Sequence, residues 1–377
     1  MRSATAIAQD LVAIPSINPM GRDISGELYS ERRVASYVMD YLGQYGIESE
    51  LFGADPDHPN LMAFIDAGCS ETIMLEAHMD TVPHDGMTID PFDPVIKDGR
   101  LYGRGSCDTK ASLAAYLYAI TAVVSTERRF TRNVMLAAVH DEEYSFGGSR
   151  ELAQRKPQAA FAIVGEPTSL DIVYAHKGYC RFFITTKGKT AHSSTPWLGS
   201  NAIYAMADVV DCIRAYGQEL SKYEDPLLGA GAVNVGRILG GEAVNVVPGQ
   251  CVIEIDRRLL PGQTYSQIRA DLQKMFDKID ATIIIDDAYA EVPAVCADIH
   301  GTGAQALLQS CRSAGITPSF KTAHYATDAS ILTGAGIPCL VFGPGDITMA
   351  HTENENISVD QIEQAAGIIL NLVSKAK

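Results

Sequence analysis

Two histidines and several carboxylates in this sequence could bind metal ions, because most of them follow short apolar runs typical of strands. The five candidate ligands are His78, Asp108, Glu143, Glu166 and His351. Zinc accepts imidazole nitrogen and carboxylate oxygen without a thiolate. A single histidine after a strand is more often a hydrogen-bonded loop residue than a ligand. Five candidates on separate loops at one sheet edge favour a site for two ions with a water nucleophile between them.

Asp108 is the candidate for a carboxylate that two ions would share. It lies in the glycine-rich turn GRGSCDTK, between a strand that ends near Leu101 and a helix that begins near Thr109. The neighbouring Cys107 could be a thiolate ligand or a nucleophile. A small buried packing residue is the better interpretation of this cysteine.

The adjacent carboxylates Glu142 and Glu143 need separate roles, because sequence neighbours on one loop seldom bind the same ion. One can be a ligand while the other works as a general base. The alternative is a solvated acidic turn before a helix at 147–153, whose dipole favours negative charge.

The elements that would position these residues alternate between strands and helices, which is typical of an α/β sheet covered on both faces. His78 and Asp80 follow one strand, Glu142 follows another, and Glu166 follows a third. Functional residues collect at the carboxyl ends of strands in such sheets. The predicted elements are helices at 4–14, 30–45 and 109–124 and strands at 61–65, 72–76, 134–139 and 161–164.

The central part of the chain has a different pattern, β-α-β-β-α-β, which is typical of a ferredoxin-like unit. After it, a helix at 302–314, a strand at 339–342 and a helix at 359–374 resume the first pattern. We therefore predict a catalytic domain formed by 1–177 and 291–377, with 178–290 inserted into it. The elements predicted for the insert are strands at 179–186, 232–239, 245–259 and 282–286 and helices at 201–216 and 265–279.

Composition limits the class of protein. The 377 residues predict two domains at about 100–200 residues each. No apolar run approaches the roughly 18 residues of a membrane span, and the N-terminus lacks the pattern of a secretory signal, so we expect a cytoplasmic protein without a membrane partner. A net charge of -16 argues against nucleic acid. The eight cysteines are scattered without a C-x-x-C pair and are expected to be reduced.

Several segments, in order over nearly the whole chain, carry a resemblance to a known family. They are LEAHMDTVP, GRGSCDTKAS, DEEYSFGG, VGEPT, KGKTAHSSTP, NVVPG, DRRLLPG and GPGD with MAHTENE. Together they are similar to the dinuclear zinc deacylase family of acetylornithine deacetylase and succinyl-diaminopimelate desuccinylase. The resemblance implies a mixed-sheet, metallopeptidase-like catalytic domain, with an inserted ferredoxin-like domain that serves as a lid and forms a homodimer.

The same resemblance assigns roles at the site. It implies that His78 and Glu166 hold one ion, that Glu143 and His351 hold the other, and that Asp108 bridges both. It makes Glu142 the general base and Asp80 the residue that orients His78, a partner that metal-bound histidines usually have. The ions would be zinc, with cobalt and manganese as alternatives, and the Asp108–Thr109 peptide would be cis.

Three further residues are implied to act on the substrate. His192, in TAHSSTP, would donate to the anionic tetrahedral intermediate in the partner subunit's site when the lid closes. Its alternative is a surface histidine beside a turn. Arg258 and Asn245 would bind the substrate α-carboxylate, for which arginine has bidentate geometry. Arg258 could instead be an exposed strand residue paired with Asp256 or Glu254.

The predicted function is hydrolysis of the amide bond of an N-acyl amino acid, with acetylornithine-type deacetylation first. A dipeptidase or carboxypeptidase of the same family is the alternative, because these ligands do not encode the acyl group. A metal-binding relative without activity would have no use for a base such as Glu142. The five carboxylates at 80, 108, 142, 143 and 166 carry -5 and two divalent ions carry +4, so removal of the ions should leave mutual repulsion and lower stability.

Overall fold

A computed structural model describes residues 1–376 and divides the chain into two compact units. The first unit comprises 1–174, 297–321 and 327–376, and the second comprises 175–296 and 322–326. The helices are α1 Ala4–Val12, α2 Arg32–Gly43, α3 Lys110–Ser125, α4 Gly147–Gln154, α5 Ala202–Leu220, α6 Tyr265–Phe276, α7 Thr302–Ser313, α8 Ala329–Gly334 and α9 Val359–Val373. 

The strands are β1 Ser49–Phe52, β2 Asn60–Ile65, β3 Thr72–His78, β4 Val95–Lys97, β5 Arg100–Tyr102, β6 Arg128–Phe130, β7 Asn133–Val139, β8 Phe161–Val164, β9 Ile172–His176, β10 Gly178–Lys187, β11 Glu224–Asp225, β12 Gly229–Ala230, β13 Ala232–Gly240, β14 Gln250–Leu259, β15 Thr282–Ile285, β16 Ala290–Val292, β17 Val295–Cys296, β18 Phe320–Ala323, β19 Cys339–Val341, β20 Asn356–Ser358 and β21 Ser374–Ala376.

The large sheet has the order β1-β2-β7-β3-β8-β19-β9-β17, and β18 pairs with β9. The consecutive strands β7, β3, β8 and β19 are parallel to one another, whereas β1, β2 and β9 pair antiparallel with their neighbours. The parallel strands read as continuous apolar runs because they are buried along their length. This mixed sheet confirms the predicted α/β fold class.

Helix α3 forms the centre of the first unit's core. It is buried over almost its whole length and packs against α1 and α9. An apolar helix surrounded by other elements has no polar face, which explains why its sequence KASLAAYLYAITAVVS lacks amphipathic spacing. The turn that precedes α3 carries Asp108, so the packing of α3 fixes the backbone position of this residue.

The second unit has the strand and helix order β10-α5-β13-β14-α6-β15. Its antiparallel sheet has the order β13-β14-β10-β15, the order of a ferredoxin-like unit. The apolar residues of α5, α6 and the inner sheet face form a separate core that includes Phe182, Met206, Ile253 and Leu272.

One predicted strand was wrong at its start. The strand predicted at 245–259 begins at Gln250. Pro248 lacks the N–H that a ladder requires, and Gly249 is a weak strand former, so the apolar residues before them belong to a loop. In the described part of the chain, every helix is too short or too polar to span a lipid bilayer.

Candidate metal centre

The carboxyl ends of the four parallel strands bring four of the five predicted ligands to one edge of the sheet, and the turn before α3 brings the fifth, Asp108. His78, the last residue of β3, lies opposite Val139 at the end of β7, and Val164 at the end of β8 lies opposite Val341 of β19. The loops that leave these ends carry Glu142 and Glu143 after β7, Glu166 after β8 and His351 after β19. Parallel pairing in register therefore explains how residues far apart in sequence meet.

His78 and Asp108 form the buried side of the cluster. Nε2 of His78 lies 3.0 Å from Oδ1 of Asp108 and 3.8 Å from Oε1 of Glu166. The three residues are 1%, 7% and 4% exposed, respectively. Thr109 ties the Asp108 turn to the Glu166 loop, because its hydroxyl donates to the carbonyl oxygen of Gly165 at 2.6 Å. The Asp108–Thr109 peptide is cis, as the resemblance implied.

His351 approaches Asp108 from the opposite side. Its Nε2 lies 3.2 Å from Oδ2 of Asp108 and 3.2 Å from Oε2 of Glu143. The two oxygens of Asp108 thus face two different histidines. Half of the His351 side chain is exposed, so this side of the cluster is open to solvent, whereas the His78 side is closed.

Asp80 lies behind His78 and holds the neighbouring loop. The Asp80 carbonyl oxygen is 3.0 Å from Nδ1 of His78, and its carboxylate Oδ1 is 3.5 Å from the same nitrogen. The carboxylate also accepts the backbone N–H groups of Glu142 and Glu143, each at 3.2 Å. Asn18 donates through its Nδ2 to this carboxylate at 2.9 Å. One buried carboxylate therefore orients both the histidine and the loop with the adjacent glutamates.

Charge repulsion and burial perturb the pKa values of this cluster. Burial, and then the charge of Asp108, raise the pKa of Glu143 to about 7 and raise that of Glu166 as well. Burial and the charge of Glu166 likewise raise the pKa of Glu142. Hydrogen bonds to Asp108 and Glu143 raise the pKa of His351 to about 10. The neighbouring carboxylates thus favour the protonated form of His351, as opposite charges do.

The donor set fits divalent ions. In two groups, one ligand atom from each of three residues lies within 4.8 Å of the other two; the groups are His78, Glu142 and Glu166, and His78, Asp108 and Glu143. Among the described residues, the ion pairs of Asp108, Glu143 and Glu166 are all with histidine. Buried carboxylates without lysine or arginine partners and with imidazole beside them suit zinc, cobalt or manganese.

Cys107 lies beside Asp108 and is fully buried. Its Sγ is 3.4 Å from the carbonyl oxygen of Asp346, and burial raises the pKa of the thiol well above its usual value. A raised pKa disfavours the thiolate that a ligand or nucleophile would need. The packing interpretation therefore fits this cysteine.

His192 and Asn245 lie on two exposed loops of the second unit that pair with each other. The N–H of Ser193 donates to the carbonyl oxygen of Asn245 at 3.0 Å, and His192 forms an isolated bridge with Val246. Nδ1 of His192 accepts the backbone N–H of Ser194 at 3.2 Å and lies 2.7 Å from the hydroxyl of that serine. Because a backbone N–H can only donate, Nδ1 is the acceptor, and a neutral His192 carries its proton on Nε2.

Arg258 has the ion pair that its alternative interpretation predicted. Its Nε lies 2.9 Å from Oδ1 of Asp256, and the same carboxylate accepts from Nε of Arg181 at 3.0 Å. Arg257 points to the opposite face of β14 and is 1% exposed, as strand alternation requires. The role of Arg258 toward a substrate stays a prediction, as do those of His192 and Asn245.

Two functional candidates were absent from the sequence prediction. Asn18 lies in the INPMG turn, where nothing in the residue pattern links it to Asp80. Glu355 lies in the MAHTENE segment that carried the resemblance, so a signal was present, but its partners depend on the fold of another turn. Both are buried and polar, and both contact the segments that hold candidate ligands.

The model of peptidase family M20/M25/M40 matches residues 74–375. The chain belongs to this peptidase family. Members of family M20/M25/M40 are hydrolases, which agrees with the predicted class of enzyme. The match begins at β3 and continues through α9, so it includes every candidate ligand and the whole second unit.

Curated relatives of this M20/M25/M40 chain include acetylornithine deacetylase from Myxococcus xanthus. The two sequences are 32% identical over 80% of this chain and 79% of that protein. Acetylornithine deacetylase from Pasteurella multocida is 30% identical over 92% of this chain and 91% of its own length.

Solved structures show the same fold across the family. Aminopeptidase PepT from Bacillus cereus matches with a TM-score of 0.77 at 21% identity, over 98% of this chain and 97% of that one. The M20 metallo-carboxypeptidase Sso-CP2 from Sulfolobus solfataricus also has a TM-score of 0.77 at 21% identity, over 99% and 98%. The Bacillus subtilis YXEP protein, a dinuclear metal binding peptidase, has a TM-score of 0.72 at 16% identity, over 98% and 96%.

Proposed function

We propose that this protein is a metal-dependent hydrolase that cleaves the amide bond of an N-acyl amino acid. Within this class, acetylornithine-type deacetylation is the reaction we favour. The observation that carries the proposal is the Asp108 carboxylate, whose two oxygens face His78 and His351 at 3.0 and 3.2 Å. The curated relatives named acetylornithine deacetylase support this substrate class.

The proposed site holds two divalent ions, zinc first and cobalt or manganese as alternatives. His78 and Glu166 would hold one, Glu143 and His351 the other, and Asp108 both. The short Asp108 distances to both histidines support a bridging role. Glu142 is also close enough to His78 and Glu166 to be a ligand, but the resemblance favours Glu143. The contact of Glu143 with His351 at 3.2 Å supports the same choice.

The ions, when bound, polarise the substrate carbonyl and make a water molecule more acidic. Glu142 takes the proton of the attacking water and returns it to the leaving amine. Burial and the Glu166 charge raise the pKa of Glu142, the direction that makes its carboxylate a stronger proton acceptor. Asp80 keeps Glu142 in place, because it accepts the Glu142 backbone N–H at 3.2 Å.

His192 is the proposed donor to the oxyanion of the tetrahedral intermediate in the partner subunit's site. Its Nδ1 accepts from Ser194, which leaves the Nε2–H of the neutral imidazole as a donor. Exposure of the loop allows it to meet a substrate. Stabilisation of developing charge by such a donor is worth about 10²–10³ in kcat.

Arg258 and Asn245 are proposed to bind the substrate α-carboxylate. Asp256 pairs with both Arg181 and Arg258, so one negative charge faces two positive ones. The remaining positive charge suits an anionic substrate group, which Arg258 could bind in bidentate fashion.

A homodimer through the inserted domain, 178–290, completes the proposal. β13 is an edge strand of its sheet, and its residues Ile238 and Leu239 are 57% and 63% exposed. Tyr204 of α5 is 74% exposed and Val244 is fully exposed. An apolar edge strand is a surface that proteins normally cover, and a second copy of the chain would do so.

A cytoplasmic location is part of the same proposal. All eight cysteines are free thiols, and five of them are buried. Buried thiols without pairing are typical of proteins from reducing compartments.

The test is an assay of metal-loaded protein against a panel of N-acetyl, N-succinyl and N-formyl amino acids together with dipeptides. We expect the highest kcat/KM on an N-acetyl amino acid such as acetylornithine. Preference for dipeptides would replace the deacylase assignment with a dipeptidase or carboxypeptidase. Absence of turnover on every member, with two ions bound per chain, would contradict the proposal and leave a metal-binding relative.

A further inference from the structure

Glu355 is a buried carboxylate, and the hydrogen bonds that it accepts from the described residues all come from one turn. It is 1% exposed. Its Oε2 accepts from Nη1 of Arg104 at 2.7 Å and from the N–H of Gly105 at 3.0 Å. Its Oε1 accepts from the N–H groups of Cys107 and Asp108 at 2.8 and 3.0 Å. Four donors from five consecutive residues therefore converge on this carboxylate.

The turn 103–108 wraps around Glu355 in this way. The N–H of Gly103 adds a further bond to the backbone oxygen of Glu355 at 3.1 Å. Backbone N–H groups that point into one concavity form an anion site, and here the anion is a side chain of the protein itself. The position of the Asp108 backbone thus depends on Glu355.

Asp108 is consequently held at both of its ends by one short segment. Glu355 binds its backbone N–H, and His351, four residues earlier, lies 3.2 Å from its carboxylate Oδ2. The segment 351–355 therefore holds the backbone of Asp108 and provides one of the two histidine contacts of its carboxylate. Displacement of the turn would move Asp108 away from both histidines.

We propose that Glu355 is a positioning residue that fixes the Asp108 carboxylate between two ion sites, so that its loss weakens binding of both ions. The inference rests on the proposed dinuclear site. A ligand of one ion would affect mainly that ion, whereas a residue that places the shared carboxylate affects the pair. Partners behind metal ligands typically change metal affinity by about 10–100-fold when they are replaced.

Replacement of Glu355 by glutamine tests the idea with little change in volume. The amide keeps one acceptor oxygen but presents an NH2 group, which can only donate, to N–H groups of the turn. At least one donor of the 104–108 turn then lacks an acceptor, and the turn must shift.

Glu31 provides a matched control within the same unit. It is also 1% exposed, and its Oε2 lies 2.6 Å from Nδ1 of His58. Its hydrogen-bond partner His58 lies outside the segments that carry the candidate ligands, and the Glu31 charge acts on Asp80 only through space. Glu31→Gln therefore repeats the loss of a buried carboxylate without disturbing the Asp108 turn.

The experiment is a titration of the full-length, metal-free protein with Co²⁺. Binding is measured by calorimetry and by the visible absorption of the bound ion. We expect Glu355→Gln to bind both equivalents of Co²⁺ about 10–100-fold more weakly, with an altered absorption spectrum. Glu31→Gln should keep the affinity and the spectrum of the unmodified protein. Unchanged affinity and spectrum in folded Glu355→Gln, or equal losses in both variants, would overturn the proposal.

Two other variants keep the test decisive. If Glu355→Gln does not fold, Glu355→Asp retains the charge, shortens the reach by one methylene, and should show weaker Co²⁺ binding of the same kind. Arg104→Lys keeps a cation near Glu355 and leaves its three backbone donors in place, so it should retain the affinity. A larger loss in Arg104→Lys than in Glu355→Gln would assign the effect to the ion pair and contradict a role through the backbone of the turn.

The outcome is separable from that of the proposed function. An unmodified protein that binds two Co²⁺ ions but hydrolyses no member of the substrate panel would refute the hydrolase while leaving the comparison of variants valid. An unmodified protein that binds no Co²⁺ would refute the dinuclear site and, with it, the role of Glu355.

Discussion

The residues proposed to bind ions and those proposed to bind substrate have contrasting surroundings. His78 and Asp108 of the first unit are 1% and 7% exposed and are fixed by hydrogen bonds to other buried groups. His192 and Asn245 of the second unit lie on exposed loops, and Arg258 lies on a half-buried strand face in an ion pair with Asp256.

From this difference we expect the proposed ion site to be formed before substrate arrives and the proposed substrate contacts to form only on binding. Catalytic ligands need fixed geometry, and buried partners provide it. Exposed loops can close over a substrate and then reopen for product release. Ion binding and turnover should therefore be separable by mutation, and the predictions below test that separation.

Replacement of Glu142 by glutamine should have the largest effect. The variant keeps the volume of the side chain but removes the base, so kcat should fall by about 10²–10⁴-fold. Ion binding should persist, because the proposed ligands remain. The measurements are kcat on the best N-acyl substrate and the metal content per chain. Activity within tenfold of the unmodified enzyme would remove Glu142 from its role.

His192→Ala should lower kcat by about 10²–10³-fold, while ion content and thermal stability stay the same. Its exposed loop makes few contacts that the fold requires. A loss of bound metal in this variant would break the separation between the two groups of residues.

The proposal that His192 acts in the partner subunit's site can be tested by mixing two inactive variants. Dimers that combine His192→Ala with Glu142→Gln would have one complete site of two, so random exchange should restore about a quarter of the activity in a symmetric dimer. Mixed subunits without recovered activity would show that His192 acts within its own chain or not at all.

Removal of the ions should destabilise the first unit. The clustered carboxylates repel one another without cations, and an ion present at 100 times its dissociation constant stabilises the fold by about 2.7 kcal/mol. The melting temperature should fall after chelation and recover with zinc. Hydrogen exchange should rise at the ends of β3, β7 and β8 more than in the second unit's core. An unchanged melting temperature after complete chelation would contradict the charge argument.

The pair of His58 and Glu31 should show a smaller effect that depends on protons rather than metal. The Glu31 hydrogen bond raises the pKa of His58 above 6.5. From pH 6.5 up to the raised pKa, the folded state binds more protons than the unfolded state, so this stability is complete below pH 6.5 and is lost as pH rises. Partial exposure limits the contribution to about 1 kcal/mol or less.

Denaturant unfolding across this window, with His58→Gln as the comparison, measures that contribution. Burial also raises the pKa of Glu31. The stability linked to the Glu31 proton is likewise lost with rising pH, but that loss begins at a lower pH, at the usual pKa of 4.5. The decline that begins at pH 6.5 should disappear in His58→Gln, whereas the decline that begins at 4.5 should grow, because the His58 hydrogen bond no longer lowers the pKa of Glu31. An identical pH profile in both proteins would show that the pair does not bind an extra proton.

The sequence predicts best what depends on strand order. Runs such as 161–164 are apolar because both sheet faces are covered, so polar residues directly after them, such as Glu166, mark the strand ends. Asn245 shows the limit, because its apolar neighbours suggested a strand that Pro248 prevents. Whether Asn245 can contact a substrate depends on the exposure of its loop, which the composition of the segment does not predict.

Contacts between polar residues distant in sequence are harder to predict. Asn18 and Asp80 are 62 residues apart, and Glu355 accepts from N–H groups nearly 250 residues away. Backbone donors leave no trace in side-chain identity, since every residue except proline has one. Such groups become visible only when the turn at 103–108 has a defined conformation.

The most direct test is the dependence of hydrolysis on bound zinc. Metal-free protein would be titrated with zinc while turnover of acetylornithine and the other N-acyl amino acids is measured. We predict little activity without metal and a plateau at two ions per chain, with Glu142→Gln binding the same two ions but remaining inactive. Full activity in the metal-free protein, or two bound zinc ions without hydrolysis of any substrate, would contradict a dinuclear hydrolytic site.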